Sequence, residues 1–114
     1  MKVANLTRGF TLVENGEIAS NLWARARGLL GHAPLRAGQG MLITPCHSIH
    51  TWFMSFAIDV AFLDIDNRIV HVIPDMPPGR VSPHLFRAQS VLELPARTLS
   101  TSGTVVGDQL AVQP

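Results

Sequence analysis

The chain has 114 residues, of which 46% are hydrophobic and 15% are charged, and it carries a formal net charge of +1. The charged fraction is well below the globular norm of about 25%, which excludes an intrinsically disordered chain, and the length favours one domain with its own core. Eight of the nine basic residues are arginines, and their densest group, Arg25, Arg27 and Arg36, is too thin to indicate a nucleic-acid-binding surface.

The cysteine content and the N-terminal residues bear on the compartment. The single cysteine, Cys46, cannot form an internal disulfide, so an oxidising compartment is not required. Residues 1–8 contain no apolar signal segment, and no apolar run reaches the length of a membrane span. We therefore expect a soluble cytoplasmic protein that has no cofactor and binds neither membranes nor nucleic acid, in an oligomeric state that the sequence leaves open.

Short apolar runs separated by glycine and proline predict a series of β-strands. The first two flank Glu14-Asn15-Gly16, and because Asn-Gly favours a tight turn with positive φ, we expect them to pair as a hairpin. The clearest strand, Ile58–Asp64, leads into a second hairpin turn at residues 64–68. The predicted strands are residues 10–13, 17–19, 41–43, 58–64, 69–73, 88–94 and 109–112, and residues 48–54 are predicted as a strand or an extended segment.

Two helices and one long loop are predicted among these strands. A helix over Leu22–Leu30 has an apolar face at helical spacing, and a second, shorter helix over Ala96–Ser102 would end at Gly103. Gly28 costs stability inside the first helix, which suggests a close approach to a neighbouring backbone. The prolines of residues 74–84 predict an exposed loop, the best candidate for a lid.

The whole pattern predicts a mainly β fold. We expect a single compact antiparallel sandwich or partly open barrel with one or two short helices. The alternative is an α+β arrangement with the first helix packed on one sheet. The domain is expected to cover residues 8–112, with short terminal segments at residues 1–7 and 113–114.

Six short motifs occur in an order that resembles one known family. They are Arg27-Gly28-Leu29-Leu30, Gly40-Met41-Leu42, Thr51-Trp52-Phe53-Met54, Ile58–Asp64, Val91-Leu92-Glu93-Leu94 and Gly107-Asp108. Together they resemble the family called domain of unknown function 192 over residues 8–112. The resemblance implies a compact, mostly β domain with a short helix, and it implies no assigned activity. Members often carry Trp-Met-Lys-Asn-Thr, whereas this chain has Trp52-Phe53-Met54-Ser55-Phe56 and lacks the basic group.

The stretch around Cys46 holds the most varied chemistry. Because a thiolate activated by histidine is a common nucleophile, one hypothesis is a Cys-dependent enzyme or redox protein that uses Cys46 with His47 or His50 as its base. Asp59 would orient that base. The competing interpretation is a buried, inert thiol. Cys46, His47 and His50 could also bind zinc or copper, although their spacing matches no standard zinc motif.

The alternation of a strand over residues 48–54 would sort its side chains onto two faces. His50, Trp52 and Met54 would share one face and could line a groove. Phe53 would lie on the other face, and we expect it in the core.

Two carboxylates, Asp59 and Glu93, each interrupt an apolar strand. If both faced one cavity, the pair would have a raised pKa and could perform acid–base chemistry. A structural role is favoured instead, in which the carboxylates accept hydrogen bonds from backbone N–H groups or pair with Arg27.

The favoured hypothesis is a non-enzymatic accessory domain that binds a small molecule or an extended peptide in a groove near the central hairpin. An extended peptide could add to an exposed strand edge. The alternatives are the Cys46 enzyme, the metal-binding protein and a domain whose motifs serve only folding. The predicted groove residues are His50, Trp52, Met54, Asp59 and Glu93.

Overall fold

The computed structural model describes residues 1–21, 25, 28–29 and 33–114, and eight strands and one helix have both of their ends within these residues. Within these residues the mainly β fold is confirmed, and most of the helix predicted over Leu22–Leu30 lies outside them. The elements are β1 (Lys2–Asn5), β2 (Phe10–Val13), β3 (Asn15–Ala19), β4 (Gln39–Ile43), β5 (Ile58–Leu63), β6 (Ile69–Met76), β7 (Ser90–Pro95), α1 (Thr98–Ser102) and β8 (Leu110–Gln113).

The strands form two sheets, which do not close into a barrel in the described part of the chain. The first has the order β2-β1-β8 and the second the order β3-β4-β7-β5-β6. Every pair is antiparallel except β3 with β4, which is parallel. A parallel pair needs a connection of a dozen residues or more, and residues 20–38 provide that length. β1 is the middle strand of the first sheet, between β2 and β8.

The hairpin predicted at Glu14-Asn15-Gly16 is wrong. β2 pairs with β1 and β3 pairs with β4, so the chain changes sheets at this point. Gly16 lies opposite Gly40, where an added Cβ on Gly16 would be 2.8 Å from the Gly40 carbonyl oxygen. A Cβ on Gly28 would have its nearest neighbour at 3.8 Å, which is an ordinary contact distance, so the close approach predicted at Gly28 is absent there and occurs at the Gly16–Gly40 pair. Gly28 has a positive φ of 50°, which favours glycine without any close contact.

The second sheet is buried on both faces around β5, whose six residues are all buried. Ala61 and Leu63 face a core cluster that fills the space between the sheets. Ile58, Val60 and Phe62 face the other cluster, which also contains Ile49, Met54 and Ala88 from loops. We call it the loop-side core cluster. This second cluster positions the candidate site.

Two predicted turns are confirmed at the ends of these elements. Strands β5 and β6 pair as a hairpin, and its turn is held by Asp64, whose Oδ1 accepts hydrogen bonds from the backbone N–H groups of Asp66 and Arg68. Gly103 ends α1 with a φ of 70°. The helix begins at Thr98 rather than at Ala96. No helix of the described ranges is long and apolar enough to cross a membrane.

Candidate functional site

A ribbon of two loops, residues 46–54 and 77–88, covers the loop-side core cluster. The loops run antiparallel and are joined by backbone hydrogen bonds from Thr51 N to Arg80 O (2.8 Å), Ser82 N to Ile49 O (2.9 Å) and Leu85 N to His47 O (2.9 Å). Only His50 and Val81 form a β-bridge here, so of the two alternatives for residues 48–54 the strand is wrong. The cross-links nevertheless hold the two loops as one surface layer.

Buried polar side chains strengthen the ribbon from within. The Thr51 hydroxyl donates to the Pro77 carbonyl at 2.7 Å and accepts from the Arg80 N–H at 2.9 Å. The Ser82 hydroxyl accepts from the Ile49 N–H at 2.8 Å. Thr51 and Ser82 are both buried. Their hydrogen bonds stabilise one loop geometry, because breaking these bonds would leave a buried donor without an acceptor.

The outer face of the ribbon exposes large apolar side chains. The exposed fractions are 49% for Trp52, 91% for Phe53, 60% for Val81 and 87% for Phe86. The rings of His50 and Trp52 stack with their centroids 4.8 Å apart. Most soluble monomers keep such residues scattered, so four of them on two adjoining loops indicate an interaction surface.

The prediction that Phe53 lies in the core is wrong. Residues 52–53 form a turn, and Phe53 has a φ of 65°, which breaks the alternation of a strand. His50 and Trp52 are exposed, whereas Met54 turns inward and is only 9% exposed, so the three predicted groove residues do not share one face. Met54 packs in the same cluster as Val60.

Cys46 is half-buried at the start of the ribbon. Its thiol donates to the Ser48 carbonyl at 3.0 Å. Burial raises the pKa of the Cys46 thiol, with a further contribution from Glu93, although the Ser48 contact and Arg25 act in the opposite direction. This is the reverse of what an activated nucleophile needs.

The two candidate bases near Cys46 have other contacts. The His47 Nδ1 atom lies 2.6 Å from the Ala88 carbonyl oxygen, and the His47 ring faces His84 with centroids 5.4 Å apart. His50 stacks on Trp52. In the described ranges no three His, Cys, Asp or Glu side chains form a group that could hold a metal, so Cys46, His47 and His50 do not converge as a ligand set there.

The Cys46 thiol should react slowly with iodoacetamide at neutral pH. Its raised pKa leaves less thiolate than free cysteine has, and we expect a rate below that of free cysteine under the same conditions. The His47→Ala and His50→Ala variants should leave the rate unchanged within about twofold, since neither ring activates the thiol. Intact-protein mass spectrometry over time measures the rate, and modification faster than free cysteine would contradict this.

Glu93 lies beneath the ribbon on the inner face of β7. Its register partners are Met41 on β4 and Val60 on β5, both members of the loop-side cluster. The side chain is only 4% exposed, and its Oε2 atom has no hydrogen-bond partner among the described residues. Burial raises the pKa of Glu93 to about 7, because desolvation disfavours the charged carboxylate.

Asp59 lies on the other face of the same sheet. On β5 it neighbours Val60, which pairs with Glu93, whereas Asp59 itself pairs with Leu94. Side chains alternate along a strand, so the two carboxylates do not share a cavity. Asp59 is completely buried, and its two oxygens accept hydrogen bonds from the Asp75 and Leu99 backbone N–H groups, each at 2.8 Å. These contacts are the structural role that the sequence favoured for Asp59, in which the carboxylate accepts backbone hydrogen bonds. Arg27, the other suggested partner, lies outside the described residues.

Sequence reasoning missed three of these four apolar side chains. It placed Phe53 in the core, and no local pattern indicated that Val81 and Phe86 lie on a loop that is joined to residues 46–54. Arg25 was also missed: its guanidinium donates to the Pro45 carbonyl at 3.0 Å, and its Nε atom is buried without a hydrogen-bond partner in the described part of the chain. The proline content of residues 77–88 was the one signal that could have indicated these residues. It predicted an exposed backbone, but it did not show which residues that backbone would contact.

Comparisons with known proteins agree with the fold. A model of the family DUF192, described as an uncharacterised ACR, matches residues 5–112. No curated protein matches the chain. A protein of unknown function from Novosphingobium aromaticivorans DSM 12444 superposes with a TM-score of 0.87 at 21% identity, over 98% of this chain and 84% of that one. A proposed transcription regulator from Sinorhizobium meliloti 1021 gives a TM-score of 0.81 at 23% identity, over 96% and 89% of the two chains.

Proposed function

Because this chain belongs to the DUF192 family, whose description assigns no activity, we propose from its own geometry that it is a binding domain for an extended acidic peptide. The peptide would lie along the outer face of the ribbon. The observation that carries this proposal is the exposure of Trp52, Phe53, Val81 and Phe86 on two hydrogen-bonded loops.

The apolar side chains supply the contact area for such a peptide. Trp and other aromatic residues dominate binding energy at interfaces because they bury large surfaces at a small cost in side-chain entropy. The cross-linked loops hold these side chains in place before a partner arrives, which reduces the ordering cost of binding.

The charges on the ribbon favour an acidic partner. Neither residues 46–54 nor residues 77–88 contain an aspartate or a glutamate, whereas the second loop contains Arg80 and Arg87. Three histidines, His47, His50 and His84, also lie on these loops and can donate hydrogen bonds. An acidic segment with interspersed apolar residues would therefore be complementary in both charge and polarity.

Selection from a library of random linear peptides displayed on phage tests the proposal. The selected sequences should be rich in Asp, Glu and large apolar residues. For a synthetic, fluorescently labelled selected peptide, the Trp52→Ala and Phe86→Ala variants should each raise the Kd by about tenfold or more, because truncating an interface anchor costs roughly 2 kcal/mol. Fluorescence polarisation measures the Kd.

The control variant is Leu6→Ala. Leu6 is a comparably exposed apolar side chain, but it follows β1 in the other sheet, so its truncation should leave the Kd unchanged. Arg80→Gln should weaken binding and reduce its salt dependence. Peptides that show no acidic preference, or whose Kd is indifferent to Trp52 and Phe86, would refute the proposal.

A further inference from the structure

A separate concave site lies away from the ribbon. A cleft of about 740 Å³ opens between β2, the segment that precedes β4 and the segment that leads from β7 into α1. None of its lining residues belongs to the ribbon. The volume falls within the range of roughly 300–1,000 Å³ that is typical of small-molecule sites.

The walls of the cleft combine apolar and hydrogen-bonding groups. Phe10 and Leu12 of β2 line the cleft together with Pro95. Leu12 is buried, whereas the Phe10 ring is partly exposed and therefore available to a ligand. Thr98 and Thr101 also line the cleft, and the Thr98 hydroxyl donates to the Pro95 carbonyl at 2.7 Å, which leaves its oxygen as an acceptor. Such a mixture suits a ligand with an apolar body and one polar end.

Two arginines from different segments carry the positive charge of the cleft. Arg36 comes from the segment before β4, and Arg97 from the residues before α1. Both side chains are exposed, and neither takes part in a salt bridge within the described ranges. The backbone around Arg36 is held by reciprocal contacts with Gln39, because the Arg36 N–H donates to Gln39 Oε1 at 2.8 Å and the Gln39 N–H donates to the Arg36 carbonyl at 2.9 Å.

Glu14 adds a negative charge to the cleft. It also lines the cleft, and its backbone N–H donates to the Gly38 carbonyl at 2.8 Å, which ties this wall to the Arg36 segment. Arg36 and Arg97 are positively charged and Glu14 is negatively charged, so the lining has one net positive charge. A single carboxylate neutralises that charge, and the apolar part of the lining favours a ligand that has an apolar body as well.

We propose that this cleft binds a small monocarboxylate with an apolar body. The guanidinium groups of Arg36 and Arg97 bind the carboxylate, since arginine forms paired, charge-assisted hydrogen bonds with that group. The apolar body lies against Phe10 and Pro95. This site is independent of the peptide surface on the ribbon, so either proposal can fail without the other.

The test is a titration of the ¹⁵N-labelled full chain with 3-phenylpropionate, followed by amide chemical shifts. Saturable shifts should be confined to residues 10–15, 36–39 and 95–101. The neutral amide of the same acid, 3-phenylpropionamide, should bind at least about tenfold more weakly, because it loses the charge-assisted hydrogen bonds. Inorganic phosphate should also bind more weakly than the carboxylate.

Variants of the charged residues complete the test. Arg36→Gln and Arg97→Asn should each raise the Kd of 3-phenylpropionate by about tenfold. Asparagine is chosen because Arg97 has a φ of 74°, a conformation that asparagine tolerates. The matched control is Arg68→Gln, since Arg68 lies outside the cleft and donates to the Gly107 carbonyl; it should leave the Kd unchanged.

Several results would overturn the assignment. Equal binding of the acid and its amide, shifts spread over other parts of the chain, or a Kd indifferent to Arg36 and Arg97 would each exclude a carboxylate site here. Glu14→Gln should tighten carboxylate binding, and weakened binding would count against the charge argument. Tighter binding of phosphate than of the carboxylate would likewise refute the proposal.

Discussion

Replacing Asp59 with alanine should lower the free energy of unfolding by about 3–5 kcal/mol. The carboxylate is completely buried and accepts the Asp75 and Leu99 backbone N–H groups, each at 2.8 Å. Truncation would leave both donors buried without an acceptor, and each such donor costs roughly 1–3 kcal/mol. Asp59 joins β5 to β6 and to the start of α1, so both elements lose a fixed contact. Urea denaturation followed by circular dichroism measures the change.

A graded series separates the hydrogen bonds from the loss of volume. Asp59→Asn keeps the size but presents an N–H₂ group to one of the two donors, and we expect a loss of about 2 kcal/mol. Asp66→Ala is the control, because Asp66 is exposed in the β5–β6 turn, and its effect should stay within about 0.5 kcal/mol. A loss below about 1 kcal/mol for Asp59→Ala would contradict the structural role of this carboxylate.

Glu93 should make the protein less stable as the pH rises from about 4.5 to about 7. Burial raises the folded-state pKa from its ordinary value of 4.5 to about 7, so between these values the folded state binds more protons than the unfolded state. The contribution of Glu93 to the free energy of unfolding is therefore fully present below about pH 4.5 and is lost as the pH rises through its folded-state pKa of about 7. A shift of this size corresponds to about 3 kcal/mol.

The Glu93→Gln variant isolates this contribution. Glutamine is of similar size and does not ionise, so the stability of the parent relative to the variant should fall by about 3 kcal/mol between pH 4.5 and pH 8. Glu17→Gln, an exposed carboxylate on β3, should show no comparable dependence. Urea unfolding at several pH values measures the difference. A constant difference between parent and Glu93→Gln across this range would show that the buried carboxylate stays charged.

The fold was predictable where local pattern and tertiary contacts agree. Residues 58–63 form a continuous apolar run broken only by Asp59, and the structure buries all six as β5. The turn after them is confirmed because Asp64 binds backbone N–H groups close to it in sequence. Gly103 ends α1 for an equally local reason, since its φ of 70° favours glycine.

The candidate site was less predictable because its residues are joined by long-range contacts. His50 lies against Val81, a residue 31 positions later, and this pairing brings two exposed loops together. The alternation expected around Phe53 failed since a turn replaces the strand there. Asp59 and Glu93 both interrupt apolar strands, yet their relative faces depend on the register of β5 against β7, and a shift of one residue would have reversed the result.

The sequence by itself determined the mainly β class, the family, the central strand with its following turn and the structural preference of a buried Asp59. These features depend on composition, on motif order and on interactions between residues close along the chain. Tertiary structure alone decided that Asn15-Gly16 enters a strand, that Phe53 is exposed and Met54 buried, and that Glu93 lies beneath the ribbon. The physical reason is that sheet pairing and burial are set by distant segments, whose mutual position no local pattern specifies.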